Sequence, residues 1–328
     1  MMVDLFKKKM IERRLVKKNE SLLLGLSGGP DSIAMFHLFV SLQAEFKLNL
    51  VACHFNHCLR DEADQEEEFV KNTCKDIGIR LISEKKEVKK FFDGDSLEQT
   101  ARNLRYDFFL KCSRETKIKK LALAHHKDDL AETVLMRIVR GAGLKGLRGF
   151  LPVTQYKKLT IIRPLIDLRK SDILQWLKDR HFKFCVDQSN FSEEFLRNRV
   201  RLKLIPLLEE LNPSIVDSLS GLAQTIATDY EFIEKAAHDA LQKIVRRQSH
   251  NRVELDLKAL SLLGDAMFNN VLRAAVDMVK GNTRNLEARH LAEVKNLVSE
   301  RKRESIVDWP MAIVTKTDTR LIIEARNI

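Results

Sequence analysis

The sequence predicts an α/β fold, a parallel sheet with helices on both faces, followed by a mainly helical domain that ends in a β-hairpin. Three observations carry this expectation. Short apolar, β-branched runs alternate with longer stretches of helical periodicity through the first half of the chain. The pattern changes near Asn212-Pro213, after which helical periodicity takes over. The last stretch then reads as strand, turn, strand.

In order, strands are expected at Leu22–Leu26, Leu48–His54, Arg80–Ser83, Lys120–Ala124 and Leu159–Ile162. Helices are expected between them at Pro30–Leu42, Asp64–Ile77, Ser96–Ser113, Asp128–Arg140 and Ser171–His181, with Ser96-x-x-Gln99 as a capping box. Strands separated by helices need crossover connections, which makes the sheet parallel and covers both its faces. Ser214 to Glu300 shows no strand pattern. Ile306–Asp308 and Met311–Thr315 read as strands before a Thr317-Asp318 turn, and Arg320–Ile323 as the strand after it. The 328 residues exceed one usual core, which gives two domains, residues 1–212 and 213–328.

Lys plus Arg number 57 against 46 acids, a formal charge of +11, which suits a polyanionic partner such as nucleic acid. The cysteines Cys53, Cys58, Cys74, Cys112 and Cys185 form no CxxC pair and no metal-ligand spacing. Their odd number argues against a fully paired secreted framework and points to reduced thiols and a cytoplasmic location. At the N-terminus apolar residues are scattered among Lys7, Lys8, Lys9, Arg13 and Arg14, with no signal-peptide core. No uncharged run approaches the roughly 20 residues that a membrane helix needs, so no membrane partner is expected.

The most informative segment is Ser27-Gly28-Gly29-Pro30-Asp31-Ser32, directly after the first strand. Two glycines let the backbone turn sharply and approach a ligand closely, and Pro30 suits a first helical position. The N–H groups at the helix start favour an anion, Ser27 and Ser32 add hydroxyls, and Asp31 can hold a Mg²⁺ that bridges phosphates. A Gly-Gly turn whose Asp and Ser merely cap a helix would leave the preceding strand and following helix as coincidence. The chain has no G-x-x-x-x-G-K-[ST], so the lysine-bearing loop of ordinary kinases is absent. Gly141-Ala142-Gly143-Leu144-Lys145-Gly146 fits G-x-G-x-x-G but follows a helical run rather than a strand, so it lacks the context of a dinucleotide site.

A second segment, His125-His126-Lys127-Asp128-Asp129-Leu130-Ala131-Glu132-Thr133, enters a helix after the fourth strand, with Asp129 and Glu132 on one face. Acids in a first turn also complement the helix dipole without further function. Glu98, Arg102 and Arg105 share a face of the helix before, and arginines opposite acids suit phosphates together with an amine. Arg163-Pro164-Leu165, Asp187-Gln188-Ser189-Asn190 and Arg197-Asn198-Arg199-Val200-Arg201 with Pro206 follow.

The Ser27–Ser32 loop resembles the SGGxDS loop of the PP-loop ATP pyrophosphatases, whose fold is Rossmann-like. The ordered set of segments from Leu22 to Pro206 resembles the tRNA(Ile)-lysidine synthetases, departing mainly at Leu130, where that family often has Gln. On this resemblance, a further C-terminal domain found in longer members is expected to be missing. The resemblance implies ATP and Mg²⁺ as cofactors. The implied partners are free L-lysine and the isoleucine tRNA with a CAU anticodon, whose wobble cytidine would receive lysine on its 2-carbon through an adenylated intermediate. It also implies a homodimer.

On this reading Ser27, Gly28, Gly29, Pro30, Asp31, Ser32 and Arg102 bind the nucleotide, with Asp31 on the metal. Asp31, Arg105, Asp129 and Glu132 are the catalytic set. Arg197, Arg199, Arg201 and Lys203 are candidates for tRNA phosphate contacts, Arg197 and Arg201 lying four apart on one helical face. A solvated charged face would explain any one of these four equally well. The alternative is a PP-loop tRNA thiolase. Sulfur chemistry usually needs a thiol pair or an iron–sulfur site, and the chain has no CxxC to supply one.

Overall fold

A computed structural model describes residues 1–59, 62–92, 94, 96–186, 196–283, 285–300, 304–309 and 311–326. The Asp187–Asn190 stretch lies outside the described residues. The chain forms two compact units, Met1–Ile226 and Ala227–Ile328.

The first unit opens with α1 (Met2–Glu12). Phe6 and Met10, four apart, fall on one helical stripe, and both are fully buried, Phe6 edge-on to Phe39 at 5.3 Å. This is a helix that the basic, scattered look of the N-terminus concealed. There follow β1 (Ser21–Leu26), α2 (Pro30–Phe46), β2 (Asn49–Asn56), α3 (Ala63–Ile77), β3 (Arg80–Lys85), α4 (Leu97–Thr116), β4 (Lys120–Ala122), α5 (Lys127–Val139) and α6 (Leu144–Leu147). The unit continues with β5 (Val153–Tyr156), β6 (Leu159–Ile162), α7 (Lys170–Asp179), α8 (Leu196–Arg199), a π turn at Val200–Leu204, and α9 (Ile205–Leu211).

The sheet order is β3-β2-β1-β4-β6-β5, all parallel except the β5–β6 pair. Leu22, Leu24 and Leu26 of β1 face a core built with α1, α2 and α7, while Leu23 faces a second core with Phe108, Phe109 and Cys112 of α4. Helices on both faces therefore account for the near-continuous apolar strands. The direction of strand addition reverses at β1, so the crevice beyond the ends of β1 and β4 is a topological switch point, the place where such sheets bind ligands.

Two local expectations differ. β5 was not expected; it forms the antiparallel edge through a turn at Lys157, whose φ is 53°. Ser96 does sit at the N-cap of α4, but its side chain makes no capping hydrogen bond and Gln99 instead donates to Asn103, so the capping box is not formed.

Helix α10 (Ile215–Ile244) contributes to both units. The second unit adds β7 (Val245–Gln248), β8 (Arg252–Asp256), α11 (Leu257–Ser261), α12 (Asp265–Lys280), α13 (Ala288–Ser299), β9 (Ser305–Asp308), β10 (Ala312–Lys316) and β11 (Arg320–Ala325). The expected β10–β11 hairpin is part of a five-stranded antiparallel sheet, β7-β8-β11-β10-β9. β7 and β8 correct the reading of a strand-free stretch up to Ser305. The alternation of Arg252, Glu254 and Asp256 with buried Val253 and Leu255 is a period-2 pattern, too short to stand out between helices.

Lys316 is buried under this sheet, where its ammonium donates to the carbonyls of Leu297 at 2.9 Å, Val298 at 3.4 Å and Glu300. It thus closes the C-terminal end of α13, where orphan carbonyls and the helix dipole favour a cation. Lys316→Met is expected to lower unfolding stability by about 2 kcal/mol, because a charge-assisted cap is lost and buried carbonyls are left unpaired. Urea midpoints of the two proteins check this.

Candidate active site

Beyond the C-terminal end of β1 the chain reverses at Gly28, whose φ of +86° lies in the left-handed region that disfavours a side chain. Gly29 has φ −71° and ψ 164°, conformations open to any residue, and a Cβ there would meet only Ser27 Oγ at 3.5 Å, so the turn itself does not require this second glycine. Pro30 opens α2 at its first position. The loop is braced from within: Ser27 N donates to Ser32 Oγ at 3.1 Å, Ser32 Oγ donates to Gly29 O at 2.9 Å, and Gly29 N donates to Ser27 Oγ at 3.3 Å.

This loop forms one wall of a cavity of about 310 Å³, which is also lined by His54 and Asn56 of β2, Glu66 of α3, Arg105 of α4 and His125 after β4. Three buried nitrogens along these walls have no hydrogen-bond partner: His54 Nε2, Arg105 Nε and His125 Nδ1. Buried polar atoms are normally satisfied, so a polar ligand is the simplest explanation of three unmet ones around one cavity. Burial lowers the pKa of the Arg105 guanidinium from its ordinary value, and it takes the His125 imidazole down to about 3, so that ring is neutral.

His126 is the N-cap of α5. Its backbone N donates to Asp129 Oδ2 at 3.0 Å, and the Asp129 N–H reaches its ring at 3.4 Å, a reciprocal capping box. The ring nitrogens also lie 3.5 Å from Asp128 and 3.7 Å from Asp31. Burial opposes charge on this imidazole, but Asp129, Asp128 and Asp31 outweigh it and hold its pKa above the ordinary value. Asp128 is likewise buried, yet His126, the Lys170 N–H and Arg169 bring it down to about 2.

With the His126 pKa raised in the fold, its stabilising charge is fully present below the unfolded value of 6.5 and is lost as pH rises through the raised value. His126→Gln is therefore expected to remove a fall in stability across that window, read from urea midpoints measured between pH 5 and 9.

Asp129 and Glu132 are both on α5, Glu132 nearly inaccessible and Asp129 partly buried. Burial works against ionised Asp129, but His126, through its charge and its backbone N–H, prevails together with Arg197 and lowers its pKa. At Glu132 burial wins, and the pKa is raised despite Arg201. Arg201 Nε donates to Glu132 Oε1 at 2.6 Å and its Nη2 to Oε2 at 3.1 Å, while Nη2 lies 3.6 Å from Asp129. Arg197 Nε stands 3.4 Å from Glu132, and its Nη2 donates to Thr133 at 3.1 Å.

Among the residues singled out from sequence, Ser27, Asp31, Ser32 and Arg105 line the cavity. Asp31, Asp129 and Glu132 gather around His126, Arg197 and Arg201. Arg102 stays outside: it is exposed, with its guanidinium 5.0 Å over the Tyr106 ring. Arg199 and Lys203 are exposed as well. Arg163 is buried and braces the β5 segment, donating to Leu151 O at 2.6 Å and Thr154 Oγ1 at 2.9 Å.

Sequence reasoning missed Lys170, the first residue of α7, whose ammonium sits 2.6 Å from both Asp31 oxygens. No motif marks it. His54 and His125 also went unassigned, although their position at strand ends was a usable signal.

A parallel sheet with an anion-binding turn at its switch point defines a nucleotide-binding α/β protein, and the chain belongs to the PP-loop family, whose domain matches residues 3–208. Within that family its relatives are tRNA(Ile)-lysidine synthases. The one from Clostridioides difficile is 31% identical over 92% of this chain and 66% of its own length. That from Caldanaerobacter subterraneus is 33% identical over 95% of this chain and 67% of its own length, and that from Clostridium acetobutylicum is 33% identical over 85% and 60%. The chain thus spans about two thirds of the length of the curated relatives it matches. Among solved structures, the U34-tRNA thiolase NcsA from Methanococcus maripaludis, with its [4Fe-4S] cluster, superposes with a TM-score of 0.58 at 22% identity. It covers 69% of this chain and 78% of its own, a likeness of fold alone.

Proposed function

We propose that this protein uses ATP to activate the wobble cytidine of the isoleucine tRNA with a CAU anticodon and joins free L-lysine to its 2-carbon, releasing AMP and pyrophosphate. The observation that carries the reading is the pairing of an anion-binding loop with a buried acidic face, Asp129 and Glu132, at one switch point. The cavity is close to the usual lower size for a small-molecule site and offers three unsatisfied nitrogens to a polar ligand.

A cytosine 2-oxygen is a poor leaving group, so it is first adenylated by attack on the α-phosphate, which expels pyrophosphate. The Gly28-Gly29 turn with the start of α2 and the Arg105 cation would stabilise charge on the phosphates. Asp31 would hold a Mg²⁺. Its carboxylate lines the cavity beside the loop, a hard oxygen donor of the kind that Mg²⁺ takes together with substrate phosphates. When bound, such an ion neutralises phosphate charge.

The lysine amine, with a solution pKa near ~10.4, must lose a proton before it attacks. Asp129, kept ionised, would orient the ammonium group, and Glu132, whose pKa is raised, is the better proton acceptor of the two. Arg197 and Arg201 then serve as counter-charges to these acids, leaving Arg199 and Lys203 as the outward candidates for tRNA phosphates. The segment from residue 213 onward would grip the anticodon arm. A cytoplasmic homodimer completes the reading, and it is checked by sedimentation of the purified chain.

Radiolabelled lysine supplied with ATP and the CAU-anticodon isoleucine tRNA is expected to appear in the tRNA, with lysine-dependent AMP release. ATP turnover without any lysine incorporation would sink this function.

A further inference from the structure

We propose that Lys170 is the cation that grips the pyrophosphate portion of the nucleotide, parked on Asp31 until the nucleotide arrives. This rests on the reading of the Ser27–Ser32 loop as a PP-loop phosphate site. The loop itself carries no lysine, and its Ser27 and Gly29 N–H groups and Ser32 hydroxyl are engaged in bracing one another. A fixed positive charge has to come from elsewhere in the fold.

Lys170 supplies it across 139 residues of sequence, with its ammonium 2.6 Å from both carboxylate oxygens of Asp31, a wall of the cavity. Its placement does not depend on that ion pair. The Lys170 N–H donates to Asp128 Oδ2 at 2.8 Å, and Lys127 N donates to Leu168 O at 3.0 Å, so the start of α7 is fastened to the start of α5. The framework thus holds the lysine stem where the ammonium can swing between Asp31 and a neighbouring anion.

Arg105 brings one cation to the cavity, and the acids on the Asp31 side favour a second. Asp31, Asp128 and Asp129 converge on His126, and a polyphosphate entering beside three carboxylates meets repulsion. Lys170 neutralises Asp31 through its ion pair. An ammonium has three donors, so it can pass to phosphate oxygens when they arrive. Lys170 would then act as a positioning cation for the leaving pyrophosphate, taking no covalent part in the reaction.

The test is titration calorimetry of inorganic pyrophosphate into the full chain in EDTA. Lys170→Met is expected to weaken binding by about ten-fold or more, the size of a lost charge-assisted hydrogen bond. Lys170→Arg, which keeps the charge but changes its shape, is expected to stay within roughly three-fold. Asp31→Asn should bind metal-free pyrophosphate several-fold tighter, since repulsion disappears and Lys170 is released. Lys170→Met binding within roughly two-fold of the unsubstituted chain overturns the proposal and leaves Lys170 a plain partner of Asp31. If Lys170→Met does not fold, Lys170→Gln decides by the same measure: binding about ten-fold weaker supports the proposal, and binding within roughly two-fold of the unsubstituted chain overturns it. No pyrophosphate binding by the unsubstituted chain overturns the phosphate-site reading itself, and this proposal with it.

Discussion

Asp31→Ala is expected to lower tRNA-dependent ATP:pyrophosphate turnover by about 10²-fold or more, the usual consequence of removing one electrostatic group aimed at developing charge. The carboxylate lines the cavity at the first turn of α2, the position from which it can meet a phosphate-bound Mg²⁺. Stability should change little. The Asp31–Lys170 pair is about a quarter to a third exposed, at 27% and 32%, and such pairs contribute about 1 kcal/mol or less. The measurement is turnover beside a urea midpoint. Full turnover at unchanged stability would remove Asp31 from the phosphate chemistry.

Glu132→Ala is expected to act on both quantities. Glu132 is almost inaccessible and receives two hydrogen bonds from Arg201, with Arg197 also 3.4 Å away. Deleting it removes the nearest counter-charge of both guanidinium groups, leaving Asp129 at 3.6 Å from Arg201. Breaking a fully buried pair costs about 3–5 kcal/mol; because Arg201 is a third exposed, a loss of about 2–3 kcal/mol is the expected figure. If Glu132 also receives the lysine ammonium, the apparent KM for lysine should rise by about ten-fold or more at a temperature where the variant is folded. A variant that is less stable but has an unchanged lysine KM would make Glu132 an anchor for the arginines alone.

His126 and Asp129 show that capping a helix does not prevent an acid from facing a second charged group. Asp129 closes a capping box with the His126 backbone and at the same time faces Arg201 at 3.6 Å. A first-turn acid therefore cannot be sorted into cap or ligand from sequence, since one carboxylate has two oxygens and can do both. The same ambiguity governs Arg197 and Arg201. Four apart in a basic run, they read as an outward face for RNA. In the folded chain both turn toward Glu132, 65 and 69 residues earlier, which no local pattern encodes.

The sequence by itself determined the elements that local chemistry controls. A strand of alternating-face leucines, a glycine turn with Gly28 at φ +86° and a proline at the first helical position are set by backbone sterics within ten residues. The parallel sheet followed, because strands separated by helices pair no other way at short range. Only the tertiary structure decided three further things. It made α1 a helix by giving Phe6 and Met10 a core to enter. It turned Arg252–Asp256 into a strand by supplying β11 as a partner. It brought the Lys170 ammonium to Asp31 and the guanidinium of Arg201 to Glu132. The physical reason is common to all three. Helix and turn preferences act between near neighbours, whereas burial and ion pairing depend on which distant surfaces meet, and that is fixed only when the whole core closes.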